Sequence, residues 1–525
     1  EDGIRVLVRS RGLGDVYKRQ IEIPADFEYF INGRTIYSSG AGMQLHSVNN
    51  VRPYSMRFYA RSRYGNNWFE HNFFSEEAPS RYKRLILRNA GNDNINKSVF
   101  NTHLRDPLIH SIARVSNYDP LISESQPVNV FINGRYYALL NLRERVDEYY
   151  IESHTGISGN FDLLERVFAY PGNRNTINGS WEEWDNLLAF VDEDGDLALE
   201  PHYQYVKDQV DIMNFTDYWI TEVFVGNYDW LSNNIKFWKP GGGKWQWIFW
   251  DVDHGLGLKF GGFGNIGWNT LKWSLTFSDR AWPNGENNRL IRNLLKNDAY
   301  KALFITRFTH LLNTSFNAAS TIPLLDSMIS LYGEDMQRHA LTWNRNIDNW
   351  NNAGEVVRDY LNHRPDTLFK HLKEFFLLEE AVPVTIKTDP PGAGTVSVGG
   401  QAVTSESFTG RYFPGMHYNL EAVPSDGYLF TDWSCSGITD NALTIELTDS
   451  VEITARFVLA DSVIPFQISE IYFNNRNRFD SGDWIELYYY GSEPADISGY
   501  YLSACLLYTS PSPRDRTRSR MPSSA

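Results

Sequence analysis

The run DIMNFTDYWITEVFVGNYDWLSNNIKFWKPGGGKWQWIFWDVDHGLG, residues 211–257, decides how the rest of the chain is read. Ile212, Phe215, Tyr218, Trp219, Val223 and Phe224 recur at helical spacing, which predicts a buried helix. Gly226-Asn227 is a typical stop signal. Asp229 and, five residues on, Asn234 follow that stop. The runs IKFW and KWQWIFW, joined by Pro240 and three glycines, predict a β-hairpin. The second run leads into Asp251-Val252-Asp253, and strand alternation predicts that these two carboxylates share one side of the chain. Three carboxylates and a carboxamide thus arrive at the ends of elements, where side chains are open to ligand.

Such a set has a chemical meaning. Phosphoryl transfer from ATP needs a carboxylate near the attacking hydroxyl, and a carboxylate and a carboxamide oxygen to hold Mg²⁺ against the phosphates. Mg²⁺ prefers hard oxygen ligands and keeps several waters, so one or two carboxylates suffice. An Asp followed five residues later by Asn has the spacing of a protein-kinase catalytic loop, and a later Asp beside a glycine turn parallels the kinase metal-binding Asp. Asp or Asn alone is equally turn chemistry. The ordered set is what argues for a site.

Four stretches carry a resemblance to a known family: YKRLILRNAGND (82–93), VNVFINGRYYALLNLRERVDEYYI (128–151), GNYDWLSNNIKFW (226–238) and WQWIFWDVDHGLG (245–257). They resemble the CotH kinases, atypical secreted protein kinases of the spore coat protein H type, over roughly residues 30 to 376. The resemblance implies an α+β, atypical protein-kinase-like domain with a C-terminal helical subdomain, using ATP and Mg²⁺ to phosphorylate Ser or Thr of secreted or surface proteins. It implies Asp229 as the catalytic aspartate and Asn234 and Asp251 as Mg²⁺ ligands, with Asp253 in the same motif. It also implies that Glu144 orients the nucleotide-binding group. One departure stands out. Tyr54 precedes Ser55 where the family usually carries a nucleotide-facing Lys, so Arg57, Arg61 or Arg63 would have to substitute. Arg and Lys are not interchangeable as phosphate ligands, and a solvated strand face is the other reading of these arginines.

Outward from the central run, residues 52–65 read as a strand with Met56, Phe58 and Ala60 on one side, and residues 81–89 as another. A helix is expected near 97–115, with Arg105-Asp106 as an intrahelical or packing salt bridge. Asn133-Gly134 inside residues 128–142 predicts a type I′ hairpin, because both residues tolerate positive φ. Arg143-Glu144-Arg145, without the family match, reads as surface pairing. The acidic run Asp192–Asp196 lacks the ligand spacing of a calcium loop and reads as a solvated loop. His254, beside Asp253, is a candidate general base by residue type, but kinase-type transfer does not need it. Residues 287–376 read as packed helices, with His339 and His363 structural.

From Val382 the text turns to short strands and Gly turns, predicting a small all-β module over 382–458. It resembles bacterial internalin-B-repeat modules, in which Gly427, Tyr428, Phe430 and Trp433 would build core. Residues 464–503, through ISEIYFNN, DWIEL and ISGYYLS, resemble a truncated lamin-tail-like domain. Residues 1–20 and 504–525 are basic, unlike the acidic text between them, and read as non-native, adaptor-like sequence. The natural chain is then expected to continue past both, its secretion signal with it. The expected location is secreted or on the surface of a bacterium, with no nucleic acid as partner.

Composition bounds these readings. The 525 residues allow two to four domains, and a net charge of −15 disfavours nucleic acid, whose phosphates want clustered Lys and Arg. No apolar run is long enough for a membrane-spanning helix. Of the two cysteines, Cys505 lies in the adaptor-like tail, which leaves Cys435 without an intrachain partner. Aromatic content of 15% suits a large core or carbohydrate-stacking surfaces. Three functions follow: a protein kinase, a pseudokinase serving adhesion or scaffolding, and a polysaccharide-associated protein, whose hydrolytic form needs two carboxyls flanking a groove.

Overall fold

The computed structural model describes residues 5–10, 22–46, 52–116, 121–167, 173–194, 196–258, 263–276, 287–404, 406–435, 438–460, 466–472 and 484–489. They fall into two compact units. The first comprises Glu1–Val384, Gly410–Tyr418 and Thr444–Val451, and the second Thr385–Thr409, Asn419–Leu443 and Glu452–Ala525. Among the described residues no helix is long and apolar enough to cross a membrane.

The chain opens with β1 (Arg5–Ser10), β2 (Ile23–Ile31), β3 (Arg34–His46), β4 (Ser55–Tyr59), the short pair β5 (Phe69–Glu70) and β6 (Arg81–Tyr82), and β7 (Arg84–Arg88). Then come α1 (Arg105–Val115) and the hairpin β8 (Ser125–Ile132) with β9 (Arg135–Glu144). Seven of these strands close a barrel in the order β1-β2-β3-β4-β7-β9-β8, with β1 running parallel to β8. Alternation fills its interior. Phe27, Met43, Met56, Phe58, Leu85, Leu87, Val130, Leu140 and Leu142 all point into one core. Met56, Phe58 and Ala60 are buried as their spacing predicts. Asn133 and Gly134 take φ of 50° and 79°, the expected I′ geometry.

Helix α1 starts later than the expected 97. The Asp93 carboxylate accepts from the backbone N–H of Thr102 and of Arg105, at 2.7 and 3.0 Å, and so holds the preceding residues as a loop. Arg105 and Asp106 do not pair with each other. Arg105 bonds Asp93, and Asp106 bonds Arg143 of β9.

After α2 (Glu148–Thr155) come β10 (Phe161–Arg166), β11 (Arg174–Asn178), α3 (Glu182–Ala189), α4 (Glu200–Gln209), α5 (Ile212–Val225), β12 (Ile235–Pro240) and β13 (Gln246–Ile248). The four strands form a sheet in the order β11-β10-β12-β13. The acidic run continues α3 as a π-helical turn, Phe190–Asp194. Helix α5 is capped by the Asp211 carboxylate, which accepts from Asn214 N, and it ends at Gly226 with φ 65°. Phe215, Trp219 and Val223 pack with Trp230, Phe237 and Trp247 of the hairpin region in the largest core.

Helices α6 (Thr270–Leu275), α7 (Arg289–Leu294), α8 (Asp298–Asn313), α9 (Ala318–Thr342) and α10 (Ile347–Phe376) complete this part. Arg364 of α10, fully buried, donates to the carbonyls of Val223 and Phe224 at the end of α5, to Ile266 O and Trp268 O, and to Thr270 Oγ1. It thereby satisfies carbonyls at the helix end, sharing Phe224 O with the Tyr360 hydroxyl at 2.9 Å. His339 is buried and accepts from Leu139 N at 3.0 Å, a structural role, whereas His363 is exposed beside Asp359.

The following text is all strand: β14 (Val382–Asp389), β15 (Gly394–Val398), β16 (Gln401–Thr404), β17 (Ser407–Tyr412), β18 (His417–Pro424), β19 (Tyr428–Trp433), β20 (Ala442–Glu446) and β21 (Val451–Leu459). They make two four-stranded sheets, β17-β14-β21-β19 and β16-β15-β18-β20. Trp433 is fully buried with the Phe430 ring tilted against it at 5.4 Å, while Tyr428 and Phe430 are only half-buried. Of the lamin-tail-like text, β22 (Phe466–Tyr472) and β23 (Trp484–Tyr489) pair antiparallel, and ISGYYLS lies outside the described residues.

Candidate active site

A cavity of about 590 Å³ opens where β4, β7 and β9 of the barrel face β10, β12 and the loops around Asp229 and Asp251. That volume is in the range of small-ligand sites. Asp229, Asn234, Asp251, Asp253, Glu144 and Arg57 all line it. Arg61 does not. Together with Arg63 it turns to Glu22, outside the cavity.

Asp229 is set by the end of α5. Gly226 in the left-handed region turns the chain, and Asn227 Oδ1 accepts from Asp229 N at 3.0 Å. The Asp229 carboxylate accepts from Asn233 Nδ2 and Asn234 Nδ2, each at 3.1 Å. Asn234 Nδ2 also reaches Asp251 O at 3.3 Å, so both of these contacts engage its nitrogen rather than Oδ1. Burial pushes the Asp229 carboxyl up, and the nearby Asp251 and Asp253 add to the rise against His254 and Asn233.

The two later aspartates come together in a way strand alternation does not supply. Strand β13 ends at Ile248, and Asp251 itself has φ 53°. Arg88, from the end of β7, draws both carboxylates onto its Nη2, bonding Asp251 and reaching Asp253 Oδ2 at 2.8 Å. Asp253 is buried and also accepts from Asn92 N at 2.8 Å. Burial alone would raise the Asp251 carboxyl, but Arg88, with His254 and Arg143, holds it below the ordinary aspartate range.

Cations crowd the barrel side. Arg57 pairs with His46 Nε2 at 3.2 Å, and burial and the neighbouring Arg145 lower its pKa to about 10. His46 is driven down to about 3 by burial and by Arg57 and Arg88, so it is neutral. Arg143 bonds Asp106, and burial beside Arg88 lowers it to about 9. Glu144 is buried, not the surface pair that its flanking arginines suggest. Its Oε2 accepts from Glu124 N at 2.9 Å, and its Oε1 lies 2.8 Å from His154 Nε2.

Sequence reading missed Arg88 and Lys236. Lys236 is buried in the cavity wall, donates to Val146 O at 2.8 Å, lies 3.5 Å from Glu165, and sits 3.6 Å over the Trp250 ring. Its sequence position gave no clear signal, since Asn234, two residues before it, lies outside β12 with φ 55° and strand alternation does not relate the two. Arg88 had none, because its partners lie 163 and 165 residues away.

The residues fit a magnesium–nucleotide site in their chemistry. Asp251, ionised and partly open, and the Asn234 carboxamide oxygen are hard donors, and Mg²⁺ bound through phosphates needs few protein ligands. Among the described residues no cluster of three or more His, Cys, Asp or Glu could hold a metal without such help.

Residues 50–368 match the family model described as CotH kinase protein, and residues 384–461 match the divergent InlB B-repeat domain. No curated protein gives a significant match.

Proposed function

Since the chain belongs to the CotH kinase family, we propose that it uses ATP and Mg²⁺ to phosphorylate Ser or Thr hydroxyls of secreted or surface proteins, through an atypical kinase-like fold. One observation carries this reading: Asn234 joins Asp229 and Asp251 within a single cavity, its amide bonding the carboxylate of one and the carbonyl of the other. Asp229 orients the attacking hydroxyl and takes up its proton. Its raised pKa suits a group that must accept a proton near neutrality. Asp251 and Asn234 Oδ1 would hold Mg²⁺, which when bound screens the phosphate charge. Arg57 and Arg145 offer fixed positive charge to the phosphates from the barrel side, in place of the absent Lys. Glu144, buried behind them, fixes the end of β9 from which Arg145 projects.

A nucleotide-binding pseudokinase is the second reading. Arg88 favours it, because its guanidinium already occupies carboxylate oxygens of both Asp251 and Asp253. Mg²⁺-dependent ATP binding and autophosphorylation of the full chain, beside Asp229→Ala and Asp251→Ala, decide between them. The kinase reading expects binding and labelling in the parent, loss of labelling in the first variant, and loss of the Mg²⁺ dependence in the second. ATP binding without any transfer is the pseudokinase result, and no binding removes both.

A further inference from the structure

On the outer face beside the cavity mouth, cations and aromatic rings alternate. Arg81 lies 4.6 Å and Lys83 5.4 Å over the Trp68 ring. Lys83 and Arg84 lie 5.7 and 4.7 Å over Tyr149, and Arg84 and Arg61 lie 5.9 and 5.1 Å over Tyr59. The Tyr59 hydroxyl receives Arg145 at 3.5 Å, and Arg145 lines the cavity itself. The row is therefore continuous from the outer surface to the site.

Its positive charge is not fully balanced. One carboxylate, Glu22, serves both Arg61 and Arg63. Lys83 makes no ion pair among the described residues and donates only to the Asn67 carbonyl at 2.7 Å. Partial burial, Arg61 and Arg84 all depress its pKa, a like-charge strain that an incoming anion relieves. Arg81, paired with Glu152, keeps 48% of its side chain exposed. Such a face contrasts with the chain's net charge of −15.

We propose that this row, centred on Arg81, Trp68, Lys83 and Tyr149, is a docking surface for an acidic peptide segment of the protein substrate. Carboxylates of an extended peptide meet the exposed faces of Arg81 and Lys83, while its apolar atoms lie on Trp68 and Tyr149. The segment leads toward Arg145 and so delivers a neighbouring hydroxyl to the cavity. Calling the bound protein a substrate rests on the kinase reading; the binding itself does not.

The test is fluorescence anisotropy of the full chain with a labelled peptide of alternating Glu, Asp and Gly around one Ser. A Gln/Asn peptide of equal length and an anionic polysaccharide serve as competitors, and ATP–Mg²⁺ binding is measured in parallel. The acidic peptide is expected to bind, to weaken as salt rises, and to lose roughly tenfold in affinity in Lys83→Glu and in Arg81→Glu, with unchanged ATP binding and melting temperature. Trp68→Ala, which keeps every charge, is expected to weaken it by a smaller factor. Equal binding of the neutral peptide, no response to either charge reversal, or preference for the polysaccharide overturns the proposal. Peptide binding as expected without any ATP binding leaves the docking surface standing and removes the kinase reading.

Discussion

The Asn234 side-chain amide donates to the Asp229 carboxylate at 3.1 Å, and the same nitrogen lies 3.3 Å from the Asp251 carbonyl. One side chain therefore ties the loop after α5 to the loop after β13. Asp229→Asn removes the proton acceptor and leaves this tether close to its shape. Phosphoryl transfer is expected to fall about 10²- to 10⁴-fold, with ATP affinity held, as read by labelling from radioactive ATP beside equilibrium binding.

Arg88→Met leaves the partly open Asp251 and the buried Asp253 without their cation. Removing one partner of such a set costs about 3–5 kcal/mol, and the Asp251 carboxyl, no longer held down by Arg88, takes up a proton more readily. A lower melting temperature is expected, with Mg²⁺ restoring part of it more strongly than in the parent. Equal melting of the two proteins would count against Arg88 as the partner that holds these aspartates.

Lys236→Met keeps length and apolar contact with Trp250 but removes the buried charge beside Glu165. ATP affinity is expected to drop by about tenfold, since a buried cation lining a phosphate cavity is worth more than one in water. Isothermal titration with Mg²⁺–ATP reads this directly, and an unchanged affinity would assign Lys236 to holding Val146 alone.

Stability should peak near neutrality, about pH 7. Burial drives His46, His103, His110, His310 and His339 from 6.5 to about 3, so the unfolded chain binds the extra protons between those values and stability falls as pH drops through that window. Burial has the opposite consequence for Glu222, raised from 4.5 to about 8, which holds a proton the unfolded chain has lost. Its contribution is present below 4.5 and is lost as pH rises to 8. Glu222→Gln should remove the alkaline fall of a melting-temperature profile and steepen the loss between pH 6.5 and 4.5, where the two effects oppose each other, leaving the profile below 4.5 as it is.

What the sequence disclosed follows from range of interaction. Helix α5, its stop at Gly226 and the Asn133-Gly134 turn are local decisions of backbone and spacing, and they read correctly. The late start of α1 did not, because Asp93 competes for its first N–H groups from outside the helical pattern. Asp251 and Asp253 were visible as a motif, yet their meeting depends on Arg88 from another part of the chain. Arg61 looked equivalent to Arg57 in text. Beyond the end of β4 it pairs with Glu22, while Arg57, within the strand, faces the cavity.

Arg364 has one more consequence. Its guanidinium is satisfied by backbone carbonyls and a hydroxyl, and no carboxylate pairs with it among the described residues. The negative end of the α5 dipole supplies its counter-charge instead. A peptide dipole neither titrates nor exchanges with dissolved ions as a surface carboxylate does. The grip of Arg364 on the end of α5 is thus independent of acidity and salinity, whereas the Glu222 carboxylate that accepts from Asn227 at 3.0 Å is not. Hydrogen exchange at Gly226 in Glu222→Gln, measured at pH 5 and pH 8 and corrected for intrinsic rate, should show equal protection.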